Sequence, residues 1–304
     1  MNLNLDDNMR SQIKKLLPDV LKQKIQQSNY VKRRSAIRLA SSLKRIDICS
    51  AQFAHIFHLS KHSSLEGKTC LEVGAGWVLT HALVCYLLGA RRVIATDIIP
   101  FARPDAIPFA LKNAIASLTR DVLAPFSDHT RIRERFNKLL SISHFSFDTL
   151  KELGIEYHSP IDFATEKLDI PIDFIYSHSV LEHVPYDDVQ AILNNLVESL
   201  NQDGSMIHCI HLEDHKDLLR YPFDFLSIAA NRYPQKLQSS RGNRIRSSEW
   251  EKIFSDIQGA NTDFIYSYSR LDKALPNTID PSISYYDEHD LRTSHIGVYT
   301  RKEK

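Results

Sequence analysis

From Gly67 onward, short and densely apolar runs alternate with longer stretches in which apolar residues recur every three or four positions. KTCLEV, RRVIATD, GIEYHS, IDFIYSH and GSMIHCIHL read as five strands, and Leu79 to Leu88, after the first of them, reads as a helix. Strands this short and this apolar, separated by helices, are covered on both faces, which predicts a parallel sheet between two helical layers. Near the end, TDFIYSYSR and TSHIGVYTRK alternate apolar and polar positions and predict two further strands that pair near one edge of the sheet.

Two stretches are longer than a crossover between strands requires. Pro100 to Leu153 separates the second strand from the third and carries the helical patterns ALKNAIASL and RIRERFNKLL, and Glu213 to Ser247 follows the fifth strand. Insertions at the carboxyl ends of parallel strands build the walls of the ligand crevice, so both are candidates for substrate recognition, with surface elaboration as the alternative. Ahead of the sheet, Met9 to Arg45 holds eleven Lys and Arg against one acid, Asp19. Ile13, Leu16, Leu17, Val20, Leu21 and Ile25 fall at helical spacing with lysines between them, and Ala36, Ile37, Ala40 and Leu43 suggest a second helix. Such a basic amphipathic segment can lie on a membrane or partner surface, or pack on the main domain as a cap with its lysines in water. The expected organisation is a basic helical N-terminal segment or cap over residues 1–60 and a main domain over 61–304, with insertions at about 101–153 and 213–247.

Composition narrows the function classes. The 304 residues are 43% hydrophobic, enough for a large core. With 38 basic and 37 acidic side chains the net charge is +1, which gives no global electrostatic case for a nucleic-acid partner. Cys49, Cys70, Cys85 and Cys209 fit no metal or redox spacing and fall in apolar runs, as buried thiols in a reducing compartment do. There is no charged-then-apolar leader and no apolar run of membrane length, so the expectation is a cytoplasmic protein.

Candidate chemistry collects at the strand ends. In CLEVGAGWVLT a strand carrying Glu72 leads into Gly74, Ala75 and Gly76 and then a helix, the arrangement that brings a ligand close to backbone N–H groups at a helix N-terminus. A dinucleotide loop would reach a Gly or Ala at position 79, where this chain has Leu. Asp97, followed by Ile98, ends the second strand, where a carboxylate can accept both hydroxyls of a ribose. SPIDFAT after the third strand offers Asp162 and Phe163 to an adenine edge and face, and SHSVLEHVP follows the fourth.

As a set, these motifs resemble the class I S-adenosylmethionine-dependent methyltransferases of small-molecule type, over roughly Gly67 to Leu212 and more loosely the last two strands. The resemblance implies S-adenosylmethionine as cofactor. It makes Glu72, Gly74 and Gly76 the loop beside the methionine part, Asp97 the ribose ligand and Asp162 the partner of the adenine amino group. Phe163 would lie near the base, and Ser177 and His178 would line the pocket. The sequence departs from the family at Val78, where many members have glycine, and at the bulky Trp77.

Methyl transfer from a sulfonium needs mainly alignment, with a general base where the acceptor is a hydroxyl. His178 and His211, at the ends of the fourth and fifth strands, are the candidate bases. His208 is expected to be buried in mid-strand, and His183, in LEHV, to be structural at a helix start. His211 and His215 are four apart, but His211 ends a strand, so no metal is expected from the pair. Arg241, Arg244 and Arg246 could grip a substrate phosphate or carboxylate or merely solvate a loop, and Ser248 with Glu251 forms a capping-box pattern.

The expected fold is α/β: a Rossmann-like, doubly wound seven-stranded sheet with an N-terminal helical segment and helical lid insertions. The expected activity is methylation of a small molecule or glycan, at oxygen in preference to nitrogen. N-methylation of an amine, a nicotinamide-dependent oxidoreductase and a non-catalytic binding protein are the alternatives.

Overall fold

In the computed structural model, which describes residues 29–61, 64–112, 114–233 and 241–303, seven strands form a single sheet. They are β1 (Thr69–Val73), β2 (Arg92–Thr96), β3 (Ile155–His158), β4 (Ile172–His178), β5 (Leu200–His211), β6 (Ala260–Ser269) and β7 (Thr293–Lys302). Their order is β3-β2-β1-β4-β5-β7-β6. β1 to β5 are parallel, and β7 runs antiparallel between β5 and β6. The chain winds outward from β1 in both directions, so the carboxyl ends of β1, β2 and β4 flank the switch point at which such sheets bind ligands. This is the doubly wound arrangement expected from the sequence. The last two strands do pair with each other, and β7 rather than β6 joins the parallel part.

The described helices are α1 (Asn29–Ala40), α2 (Ile46–Leu59), α3 (Thr80–Leu87), α4 (Ile107–Lys112), α5 (Ala116–Leu123), α6 (His129–Ser141), α7 (Phe147–Glu152), α8 (Tyr186–Ser199), α9 (Ser247–Ser255) and α10 (Glu288–Arg292). Strand alternation sorts the side chains between two layers. Cys70, Phe174 and Tyr176 face α2, α3, α5 and α6 and pack with Phe53, Phe57, Leu83 and Phe136. Leu71, Ile175 and Met206 face the other way and pack with Val189 and Leu193 of α8 and with Trp250 and Phe254 of α9. All four cysteines are free and buried. Among the described residues no helix is long and apolar enough to cross a membrane.

The basic helix expected at Ile13 to Ile25 lies outside the described residues. In α1, Ala36 and Ala40 meet Val78, Ala106 and Ala110, and Arg33 pairs with Asp105 at 2.8 Å. α2 belongs to the main core through Phe53 and Phe57. The insertion after β2 differs from the expected lid: Leu123, Ile132, Phe136 and Leu139 are buried in the layer shared with α2 and α3. They sit there because the apolar stripes of α5 and α6 bury more surface against the sheet layer than over an open crevice.

Three other local expectations change. α9 has Arg246 as its N-cap residue and no side-chain cap, because the Ser248 hydroxyl donates to Asp290 instead of closing a box with Glu251. Arg246 is fully buried and donates to the carbonyls of Leu212, Asp290, Leu291 and Thr293. Arg241 pairs with Asp214, and Arg244 stacks 3.7 Å from the Tyr233 ring centroid while donating to the Ile228 carbonyl. Arg241 and Arg244 therefore brace the segment after β5, and Arg246 ties the end of β5 to the turn of α10 into β7.

Candidate active site

At the carboxyl end of β1 the backbone turns sharply because the next residues cannot continue the strand. Gly74 has φ +70°, and a Cβ there would meet Val180 Cγ2 at 2.4 Å, so glycine is required twice over. Gly76 has φ +65°, with nothing within 4 Å of where its Cβ would stand. Ala75 N–H donates to the Thr96 carbonyl at 2.8 Å and Gly76 N–H to Asp97 Oδ2 at 2.9 Å, which fastens the loop to the end of β2. Val78 and Trp77, the departures from the family pattern, have packing roles. Val78 is buried in the alanine seam of α1 and α4, and Trp77 stacks on Phe101 at 4.8 Å.

Beside this loop opens a cleft of about 100 Å³, walled by Gly74, Asp97, Ile98, Asp162, Phe163 and Leu181 among others. Its surface is mainly apolar, with carboxylates on two sides. Asp97 Oδ1 accepts from Ile99 N–H at 3.2 Å as well as Gly76 N–H on Oδ2, and burial raises its carboxyl against those bonds. Asp162 Oδ1 accepts from Ala164 N–H at 2.9 Å, which leaves Oδ2. Five residues expected at the cofactor thus line one cleft from three strand ends: Gly74, Asp97, Ile98, Asp162 and Phe163.

The others stand elsewhere. Ala75 is buried in the main core, and Gly76 acts through its N–H on Asp97. Ser177 is a correction: it is fully buried and its hydroxyl meets His208 Nδ1 at 2.7 Å, so it satisfies a core histidine instead of lining a pocket. Glu72 also points away from this cleft, toward α3, with Oε1 at 3.4 Å from His81 Nδ1. Burial pushes its carboxyl up to about 8, against the opposing charge of Lys44.

Histidines gather on the same side of the sheet as Glu72. The His178 and His211 ring centroids are 5.9 Å apart, and His295 of β7 stands 4.1 Å from His211 and 5.9 Å from His178. Burial, together with the charge of Lys44 and the other two rings, holds His178 well below the usual imidazole range, and burial brings His295 down to about 3. Both are neutral at pH 7. His208 is buried in mid-strand, as expected, and lowered to about 3 by burial. His183 does sit in a short helical turn, Leu181–His183, but its ring meets His215 at 4.8 Å beside the buried carboxyl of Glu182. Sequence reasoning misses His81, Glu182 and His295. Only His295 left a trace, as a polar residue on the inward alternation of TSHIGVYTRK.

No family model and no curated protein matches the chain. It is similar to solved structures at low identity. An S-adenosylmethionine dependent methyltransferase from Mesorhizobium loti is 14% identical over 83% of this chain and 98% of that one, with a TM-score of 0.44. Magnesium protoporphyrin IX methyltransferase from Synechocystis, with bound SAH, is 13% identical over 91% and 89%, with a TM-score of 0.41. The N-methyltransferase NodS from Bradyrhizobium japonicum, in complex with S-adenosyl-l-homocysteine, is 12% identical over 84% and 86%, with a TM-score of 0.37. At such identities and TM-scores these likenesses carry no weight for function, which has to rest on the cleft and the residues around it.

Proposed function

We propose that the chain is an S-adenosylmethionine-dependent methyltransferase acting on a small, hydroxyl-bearing acceptor such as a sugar. The observation that carries this reading is the single cleft into which the ends of β1, β2 and β3 bring Gly74, Asp97, Ile98, Asp162 and Phe163. An adenosyl group suits it. Asp97 keeps lone pairs for a ribose diol, Asp162 keeps a carboxylate oxygen for an exocyclic amine, and Ile98, Phe163 and Leu181 offer apolar walls to a flat base. A pyrophosphate suits it less, since carboxylates border the loop and Leu79 takes the place of the third glycine.

Bound there, the cofactor supplies a methyl group on a sulfonium leaving group. The protein's part is to hold the acceptor in line, keep water out and receive the acceptor's proton. His178, His211 and His295 stand together at the ends of β4, β5 and β7, with ring centroids 4.1 to 5.9 Å apart, and are the groups we assign to receive that proton. The preference for oxygen over nitrogen rests on these groups, because a hydroxyl gains more from a neighbouring base than a free amine does.

Calorimetric titration with S-adenosylmethionine, S-adenosylhomocysteine and the two nicotinamide dinucleotides tests the reading. Adenosyl ligands should bind in the micromolar range and dinucleotides should not. Asp97→Ala should weaken adenosyl binding by roughly tenfold to a hundredfold, the worth of hydrogen bonds to a charged group. Dinucleotide binding, or an Asp97→Ala protein that binds as tightly as the parent, would overturn it.

A further inference from the structure

Three neighbouring strands present a histidine each on one face of the sheet, near the carboxyl ends of β4 and β5. His178 of β4 lies beside Cys209 of β5, and His211 of β5 lies directly across from His295 of β7. One ring nitrogen of each lies within 4.8 Å of the other two. The arrangement leaves lone pairs unanswered: His211 Nδ1 and His295 Nε2 are buried without a hydrogen-bond partner. His178 Nδ1 meets Ser179 Oγ at 3.2 Å, which leaves its Nε2 for another contact. Ser179 itself has φ +59°, a backbone conformation that a non-glycine residue adopts at a cost and that is met at ligand sites more often than elsewhere. Buried nitrogens with no partner call for a ligand that accepts their lone pairs.

We propose that His178, His211 and His295 form a binding site for a divalent transition-metal ion of the Zn²⁺ type. Three imidazoles suit Zn²⁺ and its soft neighbours and do not suit Mg²⁺ or Ca²⁺, which take oxygen ligands. A tetrahedral shell with metal–nitrogen bonds of about 2.0–2.1 Å sets its ligand atoms about 3.3 Å apart. Reaching that spacing from the observed one asks the three rings to rotate about their side-chain bonds. The Ser179 hydroxyl orients His178 from behind, as the outer partners of metal-bound histidines do. Glu213, 3.9 Å from His211 Nδ1 and itself paired with Arg270 at 3.0 Å, adds a carboxylate at the edge of the site.

A second group, Glu182, His183 and His215, also has ligand atoms within 4.8 Å of one another. Its members sit on the turn after β4 and the loop after β5, and Glu182 and His215 already approach each other at 3.7 Å. The trio on the strands is therefore the better preorganised. Three protein nitrogens leave a fourth position open. On the methyl-transfer reading, a metal held there would take the acceptor's oxygen at that position and lower its pKa, the proton passing to the Glu213 carboxylate or to water, a role that replaces the imidazoles' own.

The test uses the full chain and needs no cofactor or activity. The protein is stripped with a chelator and titrated with Zn²⁺ against a chromophoric competitor, then with Co²⁺ for its visible spectrum. One equivalent of Zn²⁺ should bind at micromolar affinity or better, and Co²⁺ should give the intense bands of a low-coordinate nitrogen site. His295→Ala should weaken that equivalent by about tenfold or more, since losing even an outer partner costs that much, whereas His183→Ala should retain it. Circular dichroism and the urea midpoint of His295→Ala serve to show that it folds. Should it fail to fold, the Co²⁺ spectrum of the parent protein together with retention of the Zn²⁺ equivalent by His183→Ala decides. No Zn²⁺ binding, a pale oxygen-ligated Co²⁺ spectrum, or a loss confined to His183→Ala would overturn the proposal. None of these results bears on adenosyl binding, so the two readings fail separately.

Discussion

At Glu72, burial decides what the residue can be. The residue is 3% exposed, Oε2 has no partner, and burial lifts the carboxyl to about 8. His81 beside it is held well below its usual range by burial, so the pair is neutral at pH 7. The folded protein keeps the Glu72 proton up to about pH 8, while the unfolded chain releases it near 4.5. Between those values the folded state binds more protons, so this group's contribution to stability is complete below the unfolded pKa and is lost as pH rises through the folded one. Glu72→Gln cannot ionise and should lose that slope. Urea unfolding of the ligand-free protein should find variant and parent alike at about pH 5, with the parent the weaker at about pH 8, by on the order of a few kcal/mol. A gap of equal size at both pH values would mean that Glu72 is charged in the fold.

Asp47 shows the opposite sign at the level of elements. In the first turn of α2, it accepts from Arg45 Nε at 3.0 Å, from Ile48 N–H at 3.0 Å and from Ile115 N–H, just before α5, at 3.1 Å, so one carboxylate joins two helices. Burial alone would raise it, but the Arg45 guanidinium and the two N–H groups outweigh that and hold it below the usual carboxylate range. Its contribution is therefore present above the unfolded pKa and disappears as pH falls through the lowered one. Asp47→Asn should cost about 1–3 kcal/mol at neutral pH, a deficit that shrinks below about pH 3, read from urea midpoints across that range. This junction is not legible in the sequence, since nothing in its spacing ties residue 47 to residue 115. The strands are legible because a period of two and dense apolar content follow from local geometry. Ser248 misleads for the same reason that Asp47 is silent: a carboxylate 42 positions away, on Asp290, takes the hydroxyl that a local pattern assigns to the helix cap.

Across the whole molecule, the cofactor cleft is legible and the histidine trio only half so. Asp97 and Asp162 follow strand ends that the sequence marks, whereas His295 reaches His211 because β7 inserts between β5 and β6, a pairing that alternation cannot specify. The same limit hides how the N-terminal helices meet the loop. Val78 is buried among Ala36, Ala40, Ala106 and Ala110, so α1 and α4 are joined to the Gly74–Leu79 turn through an alanine seam. Each alanine buries one methyl, worth about 0.8 kcal/mol, against several times that for each Phe or Leu of the sheet layers. α1 should therefore open by local unfolding at a lower free energy than the strands. In hydrogen exchange followed by mass spectrometry, its amides should exchange well before those of β1 and β4. An adenosyl ligand that rigidifies the turn should also slow exchange in α1, though no residue of α1 lines the cleft. If the ligand protects the turn and leaves α1 unchanged, Val78 only fills space. If α1 is already as protected as β4 without ligand, the seam is part of one cooperative core and the helix has no opening of its own to suppress.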